Sequence, residues 1–145
     1  MKMSLEELLR RRTIRRIKPD KRLATRSLMR ARRDIETAKT LIENEKFDWS
    51  LAVSYNSVLT AGRALMFSRG YRTSSTGGHV AVVKFLNLSL ESEAKDRMIM
   101  IFNGMRKKRH RIVYEEMDIV TEKEAEQALK WAEEFVERIF EMVRT

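Results

Sequence analysis

Apolar residues recur at three- and four-residue steps along most of the chain, the spacing that lines one face of a helix. From Asp20 to about Asn44, Leu28, Ala31, Ile35, Ala38 and Leu41 or Ile42 form one such stripe. From about Asp48 to Arg69, Leu51, Tyr55, Val58, Gly62, Leu65 and Met66 form a second, and Gly70 stands where that helix should stop. These two helices are expected to pair antiparallel. The Gly/Ser/Thr-rich stretch from Tyr71 to Gly78 reads as a loop, and a short helix is expected from His79 to about Leu88. The next should run from near Ser89 to about Glu115, with Met98, Ile101, Phe102 and Met105 facing the core. Thr121 and Glu124 form a capping box opening a last helix to about Val143, striped by Ala125, Ala128, Leu129, Ala132, Phe135, Val136, Ile139 and Phe140. Ser4 and Glu7 fit the same box and predict a short helix from Leu5 to about Arg12, which Pro19 separates from the rest. No stretch alternates as a strand does, and no repeat has a period of roughly 20 to 50 residues. The expected fold is a single all-α domain.

Composition sharpens this picture. A chain of 145 residues suits one core, and 5 Gly with 1 Pro leave little material for turns. With 0 Cys, disulfides and thiolate chemistry are excluded, and a reducing, cytoplasmic setting is expected. No apolar run reaches the roughly 18 residues of a membrane span, and the basic start lacks the apolar stretch of a signal peptide. A single Gln, Gln127, among 35% charged residues fits a thermophilic source. Trp49 and Trp131 read as core anchors, and Tyr55 as a packed aromatic with a satisfied hydroxyl. His79, at a helix start, reads as structural or solvated, and Arg63 as the partner of a glutamate on the last helix.

The net charge of +9 is unevenly placed. Residues 1–33 hold 13 Lys or Arg against 3 acidic residues, while the remainder carries 17 basic and 18 acidic ones. The chain therefore divides into a basic N-terminal arm, residues 1–18, and a helical bundle, residues 19–145. Arg11, Arg12, Arg15 and Arg16 of the arm are candidate RNA contacts. His occurs only at 79 and 110, and no phosphate-loop, dinucleotide-binding or metal-ligand motif is present. Neither a metal nor an organic cofactor is expected. The notable chemistry lies in Met105-Arg106-Lys107-Lys108-Arg109-His110-Arg111-Ile112-Val113-Tyr114. At about 100° per residue, Arg109 points with Met98, Phe102 and Met105, so its charge must meet a carboxylate, a subunit boundary or a cleft. His110 can exchange protons near neutral pH while arginines hold a phosphate. Arg106, Lys107, Lys108 and Arg111 are further candidate RNA contacts.

Several fragments in order resemble the HEPN domains (higher eukaryotes and prokaryotes nucleotide-binding), of the prokaryotic type often encoded beside a minimal nucleotidyltransferase. They are Ala31-Arg32-Arg33-Asp34 with Ala38, Ser54-Tyr55-Asn56 through Arg63-Ala64-Leu65 and Gly70-Tyr71, His79, and Arg106 to Tyr114. The resemblance implies an up-and-down bundle of four to five helices that forms a homodimer with its cleft at the dimer interface. It also implies a toxin–antitoxin-like pair with a cognate nucleotidyltransferase as partner. Many members are metal-independent ribonucleases whose signature is an Arg, a polar residue, and a His five to seven positions after the Arg. Arg109 and His110 take the first two places, but Tyr114 stands five after Arg109, and a phenol with a pKa of about 10 is a poor base. The catalytic candidates are therefore Arg109, His110 and Tyr114. The alternative is a module that binds RNA, a nucleotide or the nucleotidyltransferase without chemistry.

Overall fold

The computed structural model of the protein describes residues 4–74, 78–90 and 94–144. Among these residues the chain forms α1 (Leu5–Arg10), β1 (Ile14–Arg16), α2 (Lys21–Glu43), α3 (Phe47–Arg69), β2 (Tyr71–Thr73), α4 (Gly78–Ser89), α5 (Ala94–Tyr114) and α6 (Glu122–Arg144). The expected all-α bundle is present.

Helix starts follow the capping chemistry legible in the sequence. The Ser4 hydroxyl accepts from the Glu7 amide, and an Asp20 carboxylate oxygen accepts from the Leu23 amide at 2.9 Å. At the start of α6 the box is reciprocal: the Glu124 amide donates to the Thr121 hydroxyl, and the Thr121 amide donates to the Glu124 carboxylate, both at 3.1 Å. Each such cap satisfies an amide the helix cannot, a contribution of about 1 kcal/mol. α3 ends at Gly70, whose φ of +88° is the left-handed conformation that glycine adopts without a side-chain clash.

α2 and α3 pack against each other most extensively, joined by a short turn in which the Lys46 amide donates to the Leu41 carbonyl. α3 is the central helix and contacts α2, α4, α5 and α6. It is buried on most of its circumference, and its small polar residues turn inward: the Ser50 hydroxyl donates to the Ala38 carbonyl and Ser57 to that of Ser54. An aromatic chain crosses the core, with Tyr55 of α3 edge-on to Phe102 of α5 at 5.5 Å, and Phe102 edge-on to Phe135 of α6 at 6.3 Å. Asp48, in the first turn of α3, holds the α5–α6 loop by accepting from the amides of Asp118 and Val120.

Three expectations are corrected. A strand pair exists: β1 and β2 run antiparallel, Ile14 opposite Thr73, Arg15 opposite Arg72 and Arg16 opposite Tyr71. Three residues per strand are too few for alternation to register, and it is a long-range pairing that holds them extended. α4 continues through Ser89, where the next helix was expected to begin, and α5 starts at Ala94. Neither tryptophan joins the core. Trp49 is 55% exposed on the first turn of α3, and Trp131 is half-buried along a cavity of about 250 Å³ with Met98, Met105 and Phe135. No described helix is long and apolar enough to cross a membrane.

The basic arm is fastened to the bundle. Leu8 and Ile14 are fully buried in the shared core, and the Ile17 amide donates to the Gly70 carbonyl. Burying two such side chains is worth about 1.5–3 kcal/mol each, enough to hold the arm in place.

Candidate functional site

The basic run on α5 divides by direction. Arg106 and Arg109 follow Phe102 and Met105 on the side that faces α3, and both are half-buried. Lys107, His110, Arg111 and Tyr114 are exposed, and the His110 and Tyr114 rings lie 4.9 Å apart, one turn from each other. Lys108 reaches Glu124 of α6 at 3.3 Å, and Arg111 makes a two-oxygen contact with Glu116 at 3.0 and 3.1 Å. Of the expected catalytic group, Arg109 turns inward while His110 and Tyr114 stand on the surface. Of the expected RNA contacts on α5, Lys108 and Arg111 are already engaged by carboxylates.

Arg109 turns toward Tyr55 and His79, its guanidinium carbon 5.9 Å from the Tyr55 ring centroid. Tyr55 is fully buried, and its hydroxyl lies 2.8 Å from Nδ1 of His79, near the start of α4. Its ring packs between His79 and Phe102, with centroids at 5.6 and 5.5 Å. Arg63, two turns beyond Tyr55 on α3, comes to the same place: a β-carbon on Gly78 would stand 3.2 Å from its Nη2 and 3.1 Å from Oγ1 of Thr73. Glycine at 78 leaves that guanidinium room beside the start of α4.

Electrostatics mark the cluster. Burial pushes the Tyr55 phenol up to about 12, against the charges of Arg106, Arg109 and Arg63, which favour the phenolate. Burial, and then Arg109, Arg63 and Arg106, hold His79 below the ordinary imidazole value of 6.5. His79 is therefore neutral at pH 7, amid three permanent cations. The Nε groups of Arg106 and Arg109 are buried without a hydrogen-bond partner. Among the described residues, none of Arg63, Arg106 and Arg109 has a carboxylate partner. The expected pairing of Arg63 with a glutamate of α6 is thus absent among them. Desolvated charge left unpaired costs several kcal/mol, so this arrangement is one that an anion would stabilise.

In the arm, Arg11, Arg12, Arg15 and Arg16 are all exposed. Arg16 donates to the Tyr71 hydroxyl at 3.3 Å and lies over its ring, and Arg15 faces Arg72 across the strand pair. Sequence reasoning did identify Arg106 and Arg109. It treated Tyr55, Arg63 and His79 as structural; the packed ring and satisfied hydroxyl of Tyr55 are as expected, yet that hydroxyl is satisfied by the histidine of the cluster. The available signal was the core-facing direction of Arg109 combined with that of Tyr55, since two inward stripes from neighbouring helices must meet.

Compared with known protein families, the chain matches the HEPN domain over residues 24–143. No curated protein is significantly similar to it. The matched span runs from the first turns of α2 nearly to the end of α6, so it contains Tyr55, Arg63, His79, Arg106 and Arg109 together with the bundle that converges them. By that match over most of its length, the chain belongs to the HEPN domain family.

Proposed function

We propose that the chain binds RNA or a nucleotide through its phosphate, in a cleft that the clustered Arg63, Arg106 and Arg109 would line around His79. The observation that carries this reading is the presence of three guanidinium groups without carboxylate partners among the described residues, two of them with buried Nε groups unsatisfied. Guanidinium groups suit phosphate because they present fixed, paired donors and stay charged. Family membership is consistent with a nucleotide- or RNA-related role. The exposed arginines of the arm add sequence-independent attraction to the backbone. Fluorescence anisotropy with single-stranded RNA and with adenosine nucleotides tests the reading. Binding that Arg109→Ala removes, with helicity intact by circular dichroism, supports it, and binding unchanged by Arg109→Ala refutes it.

A second reading, metal-independent RNA cleavage, is favoured by one observation: a neutral imidazole, His79, beside the arginines. Such a group can move a proton while the guanidinium groups stabilise developing charge. His110 and Tyr114 would join the same cleft only across a subunit boundary, as a homodimer within a toxin–antitoxin-like pair would provide. Sedimentation measures the dimer, and incubation of mixed RNA with wild type, His79→Ala and His110→Ala protein separates the two histidines. Cleavage lost in one variant alone identifies the histidine that matters.

A further inference from the structure

Resting on the reading that the cleft binds phosphate, we propose that its ligand is a terminal phosphate monoester, as on the end of an RNA strand or a mononucleotide, and that His79 is one of its direct ligands through Nε2–H. Hydrogen-bond logic fixes the role of His79. The Tyr55 hydroxyl is fully buried, and its proton needs an acceptor. The partner it has is Nδ1 of His79 at 2.8 Å. Burial keeps the phenol protonated, so Tyr55 donates to Nδ1 and the imidazole proton resides on Nε2. His79 thereby offers a donor. Arg63, Arg106 and Arg109 are donors only, so the four groups around the cleft offer hydrogens and no lone pair. Such a site selects a ligand that is all acceptor.

Charge and oxygen count then separate two kinds of phosphate. An internal phosphodiester brings one negative charge and two free oxygens. A terminal monoester, with a second pKa of about 6, brings about −1.5 to −2 at neutral pH and three acceptor oxygens. Three guanidinium groups without a carboxylate partner among the described residues, plus an imidazole N–H, are better neutralised and more fully accepted by the monoester, with its larger charge and extra oxygen, than by a diester. Gly78 contributes the space: any side chain there would press on Arg63 Nη2 and Thr73 Oγ1, the groups that border the start of α4.

The test compares one RNA oligonucleotide carrying a 5′-phosphate, the same strand with a 3′-phosphate, and the same strand with hydroxyl ends. Anisotropy is read at about 0.2 M salt, where arm contacts with the backbone are weakened. The proposal expects one of the phosphorylated strands to bind at least about tenfold tighter than the hydroxyl strand. Arg106→Ala should bring the three strands to the same affinity, and His79→Gln, which keeps an N–H donor, should retain more of the preference than His79→Ala. Adenosine monophosphate, adenosine and inorganic phosphate serve as competitors. Competition by the monophosphate well beyond inorganic phosphate identifies a mononucleotide as the ligand, whereas equal competition by the two identifies the bare phosphate group; either supports the monoester. Equal affinity for all three strands, with no competition by the monophosphate, overturns the proposal while the binding reading stands if Arg109→Ala still weakens RNA. Absence of binding by every strand and nucleotide overturns both. Should Arg106→Ala fail to fold, the strand comparison and the competition on the wild-type protein decide the matter.

Discussion

The basic arm and the arginine cluster between α3 and α5 are both cationic, and they differ in what surrounds the charge. Arg11, Arg12, Arg15 and Arg16 stand in water, which screens them, so their exposure costs little and their contact with an anion gains little individually. Arg106 and Arg109 have part of their guanidinium groups withdrawn from water beside a fully buried tyrosine, with no carboxylate among the described residues to offset them. The density of basic residues along a sequence locates general attraction, whereas desolvated, unpaired charge locates a specific site.

The double variant Arg106→Ala/Arg109→Ala should have the largest effect. Each charge-assisted hydrogen bond to a phosphate is worth about 1.5–3 kcal/mol, so RNA affinity at moderate salt should fall by about 100-fold or more. Thermal stability should hold or rise, because the substitution removes unpaired buried charge. An affinity within threefold of wild type would leave the cleft no better than the arm.

Neutralising the arm should act differently. Replacing Arg11, Arg12, Arg15 and Arg16 with Gln leaves Leu8 and Ile14 in the core, which deletion of residues 1–18 would not. The slope of log affinity against log salt should flatten by up to about 2.8, at about 0.7 per lost phosphate contact on a single strand. Preference among ligands should remain. A loss of preference with an unchanged slope would reverse the assignment of the two regions.

Stability against pH probes the cleft without any ligand. His79 titrates lower in the folded protein than its ordinary 6.5, so in the window below 6.5 the unfolded chain takes up the proton first. The neutral imidazole's contribution is therefore complete above about pH 6.5 and is lost as pH falls toward the lower, folded value. Denaturation midpoints of wild type and His79→Gln should converge in acid and separate toward pH 7. A difference that is flat across this range would show His79 to be as free as a surface histidine.

The smallest effects are expected on the outer face of α5. His110→Ala and Tyr114→Phe should change RNA affinity by less than about twofold in the isolated subunit, as for other exposed positions without a ligand. A larger loss would mean that a second subunit brings that face to the cleft, which sedimentation of the same variants would reveal.

Much of the fold was legible because it rests on local rules. The caps at Ser4, Asp20 and Thr121 and the stop at Gly70 each depend on residues within a few positions, and the stripes of α2, α3 and α6 follow from helix periodicity. The strand pair was not legible, because Ile14 and Thr73 are brought together by the helices between them. The site was half-legible for the same reason. Periodicity gave the inward direction of Arg109, but Tyr55 meets His79 over a separation in sequence that no local pattern spans. The tryptophans misled because size and apolarity favour burial only on average, and neither side chain belongs to the packed core of α3 and α6.

The pairing of residues 14–16 with residues 71–73 also sets an order of events in time. The α2–α3 hairpin between them closes through contacts near in sequence, and the ribbon spans that whole hairpin, so its closure entropy is recovered only after the hairpin has formed. The arm is therefore expected to be the last of these elements to lock and the first to open. Amide hydrogens of the ribbon, such as that of Ile17 on the Gly70 carbonyl, would exchange through this partial opening while those of α3 await global unfolding.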